Sequence, residues 1–318
     1  MQLMRYHRGV SFDEPVAVCL GCFDGIHQGH QALLTTTQQL AKEHRVLSAC
    51  LSFEPYPKHF FAKQFGQAIL PRLMRFKDKY KALSDVGMDR FVVCSFNDAL
   101  AQLSAKAFVT DVLVNGIKAR SVVVGEDFRF GVKREAGVSE LIDLCKDHGV
   151  SVTVMPDVLV DQQRVSSTGL REALQAGDLE SVKHLLGRDY SVSGCVRHGQ
   201  ARGRQIGFPT ANVHMPPNTL PMAGVFVVEL IRADGCIVPG VANVGPQPTV
   251  DQYQARLEVH CLNFEGDLYN EQVQVRFLKH LRGVLRFSGL DALKAQITHD
   301  KAVAEDYFKA SEQEQRSQ

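Results

Sequence analysis

Along the first half of the chain, short apolar runs alternate with stretches whose apolar positions recur every three to four residues. Residues 15–20 read as a strand. Residues 30–44 read as a helix, with Leu33, Leu34, Leu40 and Ala41 forming much of its apolar face. The run 45–53 (RVLSACLSF) predicts the next strand. After it come a strand at 91–94, a helix near 105–114, a strand at 121–125, a helix near 139–148 and a strand at 150–155. Strands alternating with helices predict an α/β unit whose parallel sheet is covered on both faces. Such sheets bind ligands beyond the carboxyl ends of their strands, so the loops after Leu20, Phe53 and Gly125 are where chemistry belongs.

Two helical patterns, near 168–175 and 179–186, close this half, and the texture then changes. Strand-like runs follow near 190–196, 224–231, 236–244, 256–264 and 272–280, separated by Pro216-Pro217, Asp234-Gly235, Gly245-Pro246 and Glu265-Gly266-Asp267. Many short strands with turn signals and few helices predict an antiparallel barrel. A last helix is expected from about 290 to 309, with Leu290, Leu293, Ile297, Val303 and Phe308 facing inward and a frayed polar tail after Ala310.

Composition narrows the function classes. The length, 318 residues, suits about two domains. Lys plus Arg number 36 against 35 Asp plus Glu, a net charge of +1, which argues against binding nucleic acid through bulk electrostatics but allows a local cradle for one nucleotide. No apolar run approaches the roughly 20 residues needed to span a bilayer, and MQLMRYHRGV lacks a secretory h-region. The eight cysteines are scattered, mostly within apolar runs, so buried thiols in a reducing compartment are expected and the cytoplasm is the predicted location. Cys19 and Cys22 match C-x-x-C, but the first lies inside a strand-like run and no second pair completes a zinc site.

The loop after the first predicted strand reads Gly21-Cys22-Phe23-Asp24-Gly25-Ile26-His27-Gln28-Gly29-His30 and opens a helix. Glycines let the backbone turn sharply and approach a ligand, and a helix start offers free N–H groups and a positive dipole end, which together suit phosphates. His27 and His30 can donate hydrogen bonds to a phosphate chain and stabilise charge developing at pentavalent phosphorus. Gly125-Glu126-Asp127-Phe128-Arg129-Phe130-Gly131 follows another strand and can reach the same crevice. Ser166, Ser167 and Thr168 sit at a helix start, where hydroxyls cap the helix or donate to phosphate, and Arg171 lies one turn further in.

In the second half, Gly203-Arg204-Gln205-Ile206-Gly207-Phe208-Pro209-Thr210-Ala211-Asn212 joins a glycine turn to a rigid proline. Thr210 and Asn212 are two apart, so in an extended segment they face the same way and make a hard-oxygen pair for Mg²⁺ or an ATP phosphate. In Arg256-Leu257-Glu258-Val259-His260, alternation puts Glu258 and His260 opposite Leu257, Val259 and Cys261. A carboxylate there is either a general base for a substrate hydroxyl or part of a solvated strand face.

The ordered motifs G-x-F-D-G-x-H-x-G-H, F-E-P-x-P (residues 53–57), G-E-D-F-R-F-G and S-S-T-x-x-R resemble the adenylyltransferase module of the prokaryotic bifunctional riboflavin kinase/FAD synthetases. P-T-A-N, Val241-Ala242-Asn243-Val244-Gly245, Pro248-Thr249-Val250 and Phe264-Glu265-Gly266-Asp267-Leu268-Tyr269 resemble the kinase module of the same enzymes. The resemblance implies a Rossmann-like nucleotidyltransferase domain over 1–186 and a riboflavin kinase domain over 187–318, a six-stranded antiparallel barrel with a terminal helix. It implies that riboflavin and ATP give FMN, and that FMN and ATP give FAD and pyrophosphate, with Mg²⁺ as cofactor. Carried over by position, His27 and His30 act catalytically on the ATP phosphates, with Gly21, Phe23, Asp24, Gly25 and Gly29 lining the nucleotide site. Asp127 acts near the reacting phosphates or the flavin phosphate, and Ser166, Ser167, Thr168 and Arg171 hold the triphosphate. Thr210 and Asn212 bind Mg·ATP, and Glu258 is the kinase base. The partners implied are ATP, riboflavin, FMN and FAD, with no nucleic acid or membrane, on a monomer or weak homo-oligomer. Two positions depart from the family pattern: Cys22, where asparagine is common, and Val284, where an acidic residue is frequent. The alternatives are a flavin-binding regulator that has lost catalysis, and a nucleotidyltransferase with another acceptor, such as a cytidylyl- or pantetheine-phosphate transferase.

Overall fold

The computed structural model describes residues 1–199, 203, 206–248 and 253–316. Arg204, Gln205, Thr249 and Val250 of the motifs above lie outside the described residues. The chain forms two compact units, Met1–Leu70 with Phe76–Ser166, and Pro71–Arg75 with Ser167–Gln318.

In the first unit six parallel strands form one sheet: β1 (Gln2–Tyr6), β2 (Val16–Leu20), β3 (Leu47–Glu54), β4 (Arg90–Ser95), β5 (Ala119–Gly125) and β6 (Ser151–Met155). Their spatial order is β1-β4-β3-β2-β5-β6. All five residues of β2 are buried, as expected of a central parallel strand covered on both faces, and VAVCL accordingly shows no alternation. From β2 the chain builds β3 and β4 on one side, then returns to place β5 and β6 on the other. The order therefore reverses between β2 and β5, and the crevice beyond their carboxyl ends is the ligand-binding position of such sheets.

Three features of this unit depart from the sequence reading. The expected helix near 105–114 is a single α turn, Ala105–Ala107, running into a π-helix, Phe108–Gly116. Tyr6 explains the widening: its hydroxyl donates to the Asp111 carbonyl at 3.1 Å, and its ring lies 2.5 Å from where a Cβ at Gly116 would stand. Strand β1 is unforeseen because at the sheet edge only Tyr6 of QLMRY is fully buried. The helices Pro57–Gln64 and Phe76–Asp85, and the small hairpin of β7 (Leu159–Val160) and β8 (Gln163–Arg164), are also additional.

The second unit is a closed six-stranded barrel of β9 (Ser191–Arg197), β10 (Ala211–His214), β11 (Gly224–Ile231), β12 (Ile237–Pro248), β13 (Tyr253–Cys261) and β14 (Gln272–Arg282), in the order β10-β13-β12-β11-β14-β9. Closure leaves no strand edge to aggregate. Helices Ser167–Ala176 and Leu179–Leu186 belong to this unit, as does the short strap 71–75. Arg171 Nε donates to the Pro71 carbonyl at 2.7 Å, and the Tyr190 hydroxyl to that of Leu73 at 3.0 Å, which pins the strap.

The terminal helix runs from Leu290 to Arg316, longer than its sequence pattern suggests. Leu290, expected to face inward, is exposed. The helix instead docks through Ala304, Tyr307 and Phe308 onto Val227, Val241, Leu262, Leu278 and Leu281. Arg282 clamps it further, donating through Nε and Nη2 to the Asp300 carboxylate at 2.8–3.1 Å.

Candidate active sites

The loop from Gly21 to His27 leaves the buried end of β2 and enters the helix Gln28–His44. Two of its non-glycine residues take left-handed backbone, Phe23 at φ 50° and Ile26 at φ 44°, beside Gly25 at 94°. Each such residue costs on the order of 1–3 kcal/mol, and strain of this kind clusters at functional sites. Burial holds the loop: Phe23 and Ile26 are almost completely enclosed, and the Phe23 ring lies 3.2 Å from where a Cβ at Gly21 would stand. Phe23 thus supports the loop from beneath.

His27 caps the helix, its Nδ1 accepting from the His30 backbone N–H at 3.3 Å, which leaves the ring proton on Nε2. The two imidazoles stack with centroids 3.7 Å apart and planes 18° apart, and the Phe23 ring lies 5.0 Å from His30. Burial, then the neighbouring His27 and Lys79, push the His30 pKa well below its ordinary value of 6.5. His30 Nδ1 is buried without a hydrogen-bond partner, a polar atom that an incoming ligand can satisfy.

Beneath the loop lies a group that its own sequence does not announce. Lys79, on the helix Phe76–Asp85, is 2% exposed. Its Nζ donates to the Cys22 carbonyl at 2.6 Å and to Ser52 Oγ at 3.2 Å, and sits 4.4 Å from the centre of the Tyr56 ring. Ser52 Oγ also donates to the Cys22 carbonyl, at 3.1 Å. Asp24 is buried and accepts from the Tyr56 hydroxyl at 3.4 Å. Burial lowers the Lys79 pKa, opposed first by the charge of Asp24.

The remaining motif residues of this half lie on other elements. Asp127, in the loop after β5, is exposed and salt-bridged to Arg164 of β8 at 2.6 Å; Arg164 also meets Asp157 at 2.7 Å. Ser166 ends the first compact unit. Ser167 and Thr168 open the helix Ser167–Ala176 of the second, where Arg171 Nη1 donates to the Ser167 carbonyl at 3.0 Å. A Cβ at Gly29 would meet the His27 ring at 3.2 Å, a tight contact that would press on that imidazole.

In the barrel, strand pairing brings the second set together. Asn212 of β10 stands directly opposite Glu258 of β13, and Glu258 in turn opposite Asn243 of β12. Directly paired antiparallel residues share a face, so amide, carboxylate and amide form one row. Leu257 and Val259 point the other way, into the core. Glu258 is partly exposed, with Arg256 Nη1 at 3.6 Å. Thr210 precedes β10, with its Oγ1 3.5 Å from a Cβ placed at Gly203, and the Asn212 amide fills the space that a side chain at Gly199 would need. His260 Nδ1 bonds the Pro209 carbonyl at 2.8 Å, and its ring packs edge-on against Phe208 at 5.7 Å. The Thr210–Asn212 segment is thereby held to the strand that carries Glu258.

A parallel-sheet unit with paired imidazoles at its switch point, joined to a closed barrel with a carboxylate between two amides, defines a two-module enzyme of phosphoryl and nucleotidyl transfer. Comparison with known proteins gives the same division: residues 10–169 match the FAD synthetase family model and residues 186–308 the riboflavin kinase model. The chain belongs to the bifunctional riboflavin kinase/FMN adenylyltransferase family. It is 37% identical to the Escherichia coli K12 member over 295 residues, covering 93% of each chain, and 41% identical to the Pseudomonas fluorescens member over 286 residues, covering 90% of each. A crystal structure from Streptococcus pneumoniae, described as a macrolide-efflux protein, matches with a TM-score of 0.81 at 28% identity, over 95% of this chain and 98% of that one. Among the described residues of the present chain, no helix is long and apolar enough to cross a membrane.

Proposed function

We propose that this chain carries one flavin through two ATP-dependent steps, each run by its own module, with functional boundaries at 1–186 and 187–318. In the barrel, the Glu258 carboxylate accepts the proton of the riboflavin 5′-hydroxyl as that oxygen attacks the γ-phosphorus of ATP, giving FMN and ADP. In the sheet unit, an FMN phosphate oxygen attacks the α-phosphorus of a second ATP, and pyrophosphate leaves. The observation that carries this reading is the pair of chemically distinct constellations: stacked His27 and His30 at the mouth of β2, and the Asn212–Glu258 row on the barrel.

Roles follow from chemistry. His27 donates from Nε2 to the phosphate chain, and His30 offers a neutral imidazole to the charge that develops at phosphorus. Gly21, Gly25 and Gly29 let the backbone approach the nucleotide, with Asp24 beside them. Triphosphate contacts by Ser166, Ser167, Thr168 and Arg171, and a part for Asp127 near the reacting phosphates, rest on the motif resemblance. Thr210 and Asn212 supply hard oxygens for Mg²⁺. Among the described residues no group of three or more His, Cys, Asp or Glu could hold a metal ion alone. That donor set fits a cation that keeps waters and takes most of its neutralising charge from substrate phosphates. When bound, Mg²⁺ would neutralise charge on the transferred phosphoryl group. ATP, riboflavin and FMN are the partners, the chain acting in the cytoplasm as a monomer or weak homo-oligomer. Labelled ATP tests the reading: γ-label should appear in FMN when riboflavin is supplied, and α-label in FAD when FMN is supplied. Failure of either transfer would contradict the corresponding half.

A further inference from the structure

The buried ammonium beneath the histidine loop is not accounted for by the two reactions as described. A charged lysine in a protein interior is costly unless it is paired and hydrogen-bonded, and this one stands under a turn that holds two non-glycine residues in left-handed backbone. Its two hydrogen bonds go to the Cys22 carbonyl, in the middle of the turn, and to Ser52 on the neighbouring strand β3, and Ser52 itself donates to the same carbonyl. The turn is therefore tied to β3 through a three-membered polar knot. Tyr56 covers the ammonium from one side with its ring and holds Asp24, also in the loop, with its hydroxyl.

We propose that Lys79 is a positioning residue for adenylyl transfer: its ammonium fastens the Gly21–His27 turn, and so the imidazoles that follow it, to β3. The inference rests on the adenylyltransferase reading of this unit. The hydrogen-bond geometry carries it, and the charge environment of His30 supports it. The hydrogen bonds fix where the backbone leading to His27 lies, and the left-handed residues Phe23 and Ile26 need such an external tie to persist. The charge acts on His30, whose neighbours are His27 from the loop, the Phe23 ring and the Lys79 ammonium; both titratable neighbours oppose a second positive charge there. The groups facing Lys79 itself are Asp24 and Cys22 from the loop, and Cys50 and Glu54 from β3, all of which favour its charged form against burial. Burial is the largest influence lowering the His30 pKa, and His27 and Lys79 act in the same direction.

The test uses the full chain and reads both activities. Lys79→Met removes charge and donor at nearly constant length, whereas Lys79→Gln keeps an N–H for the Cys22 carbonyl but no charge. For Lys79→Met, FAD formation from FMN should fall at least about 100-fold in kcat. Riboflavin phosphorylation should stay within about twofold, serving as the measure of intact folding. Lys79→Gln should recover part of the lost rate. In both variants the His30 ring proton, followed by NMR against a His30→Ala reference, should titrate at higher pH than in the parent chain. Adenylylation within twofold of the parent in a folded variant would overturn the inference. So would an unmoved His30 titration alongside equal losses in both variants, since that is the signature of a merely structural lysine. If Lys79→Met does not fold, Lys79→Gln decides by the same criteria. A parent chain that makes no FAD would sink the functional reading instead, and is seen before either variant is made.

Discussion

At His30 three effects act on one imidazole: burial, the stacked His27 and the Lys79 ammonium all disfavour its protonation. The consequence for stability has a definite sign. Well above pH 6.5 the ring is neutral both folded and unfolded, and nothing is lost. As pH falls below that, the unfolded chain takes up a proton that the folded one refuses, so the first unit should lose stability on the acid side. Thermal unfolding from pH 8 to pH 5 should show a steeper acid decline in the parent chain than in His30→Ala; equal slopes would contradict the assignment. The same variant should abolish FAD formation while FMN still accumulates, and loss of both products would mean that the modules do not act independently. At Glu258 the expected pattern is reversed. Glu258→Gln preserves shape and removes the base, so riboflavin phosphorylation should fall by about 10²–10⁴-fold while FMN is adenylylated normally. A full kinase rate in that variant would show that Glu258 only decorates a solvated strand.

At the scale of elements, the terminal helix offers the sharpest test of packing. Arg282 and Asp300 are both largely buried, and Gln296 donates to the same carboxylate at 2.8 Å. Removing one partner of a buried ion pair strands the other, at a cost of about 3–5 kcal/mol. Arg282→Ala should therefore lower the melting temperature of the second unit by several degrees, and an unchanged melting curve would show that the apolar contacts of Ala304, Tyr307 and Phe308 suffice alone. The elements also show what a linear sequence reveals. Strands β2, β5 and β11 announce themselves because their residues are buried as continuous apolar runs. Strand β1, exposed at most positions, and the four-residue β10 do not. The π-helix is invisible because its cause, the Tyr6 ring against Gly116, lies more than 100 residues away in sequence. The histidine loop and the Thr210–Asn212 segment are legible as compact motifs. Lys79, Ser52 and Tyr56 are not, because they converge from a helix, a strand and a connecting loop, and a lone lysine in FKDKYKALSD looks like any solvated helix face. Only its placement three residues after Phe76 and four before Leu83, on the apolar face of the helix, could have raised the question.

At the scale of the whole molecule, near-neutral net charge agrees with a chain that engages nucleotides one at a time through local cradles. Both modules use the same co-substrate but break different bonds in it, so their requirements should separate cleanly in everything except the divalent cation. Chelation with EDTA should stop both half-reactions and added Mg²⁺ should restore both; persistence of either would remove the metal from that module. The division of the chain is also informative: the strap 71–75 leaves the first unit in mid-sequence to join the second, so a cut at a single point does not separate them without loss. On the proposed reading, two separate sites act in sequence on one flavin. Chromatographic time courses of riboflavin with excess ATP and Mg²⁺ test it most directly, run on the parent chain, His30→Ala and Glu258→Gln. The expected result is FMN rising before FAD in the parent, a stop at FMN for His30→Ala, and unreacted riboflavin for Glu258→Gln. Riboflavin left untouched by the parent chain, or FAD appearing in the His30→Ala reaction, would contradict it.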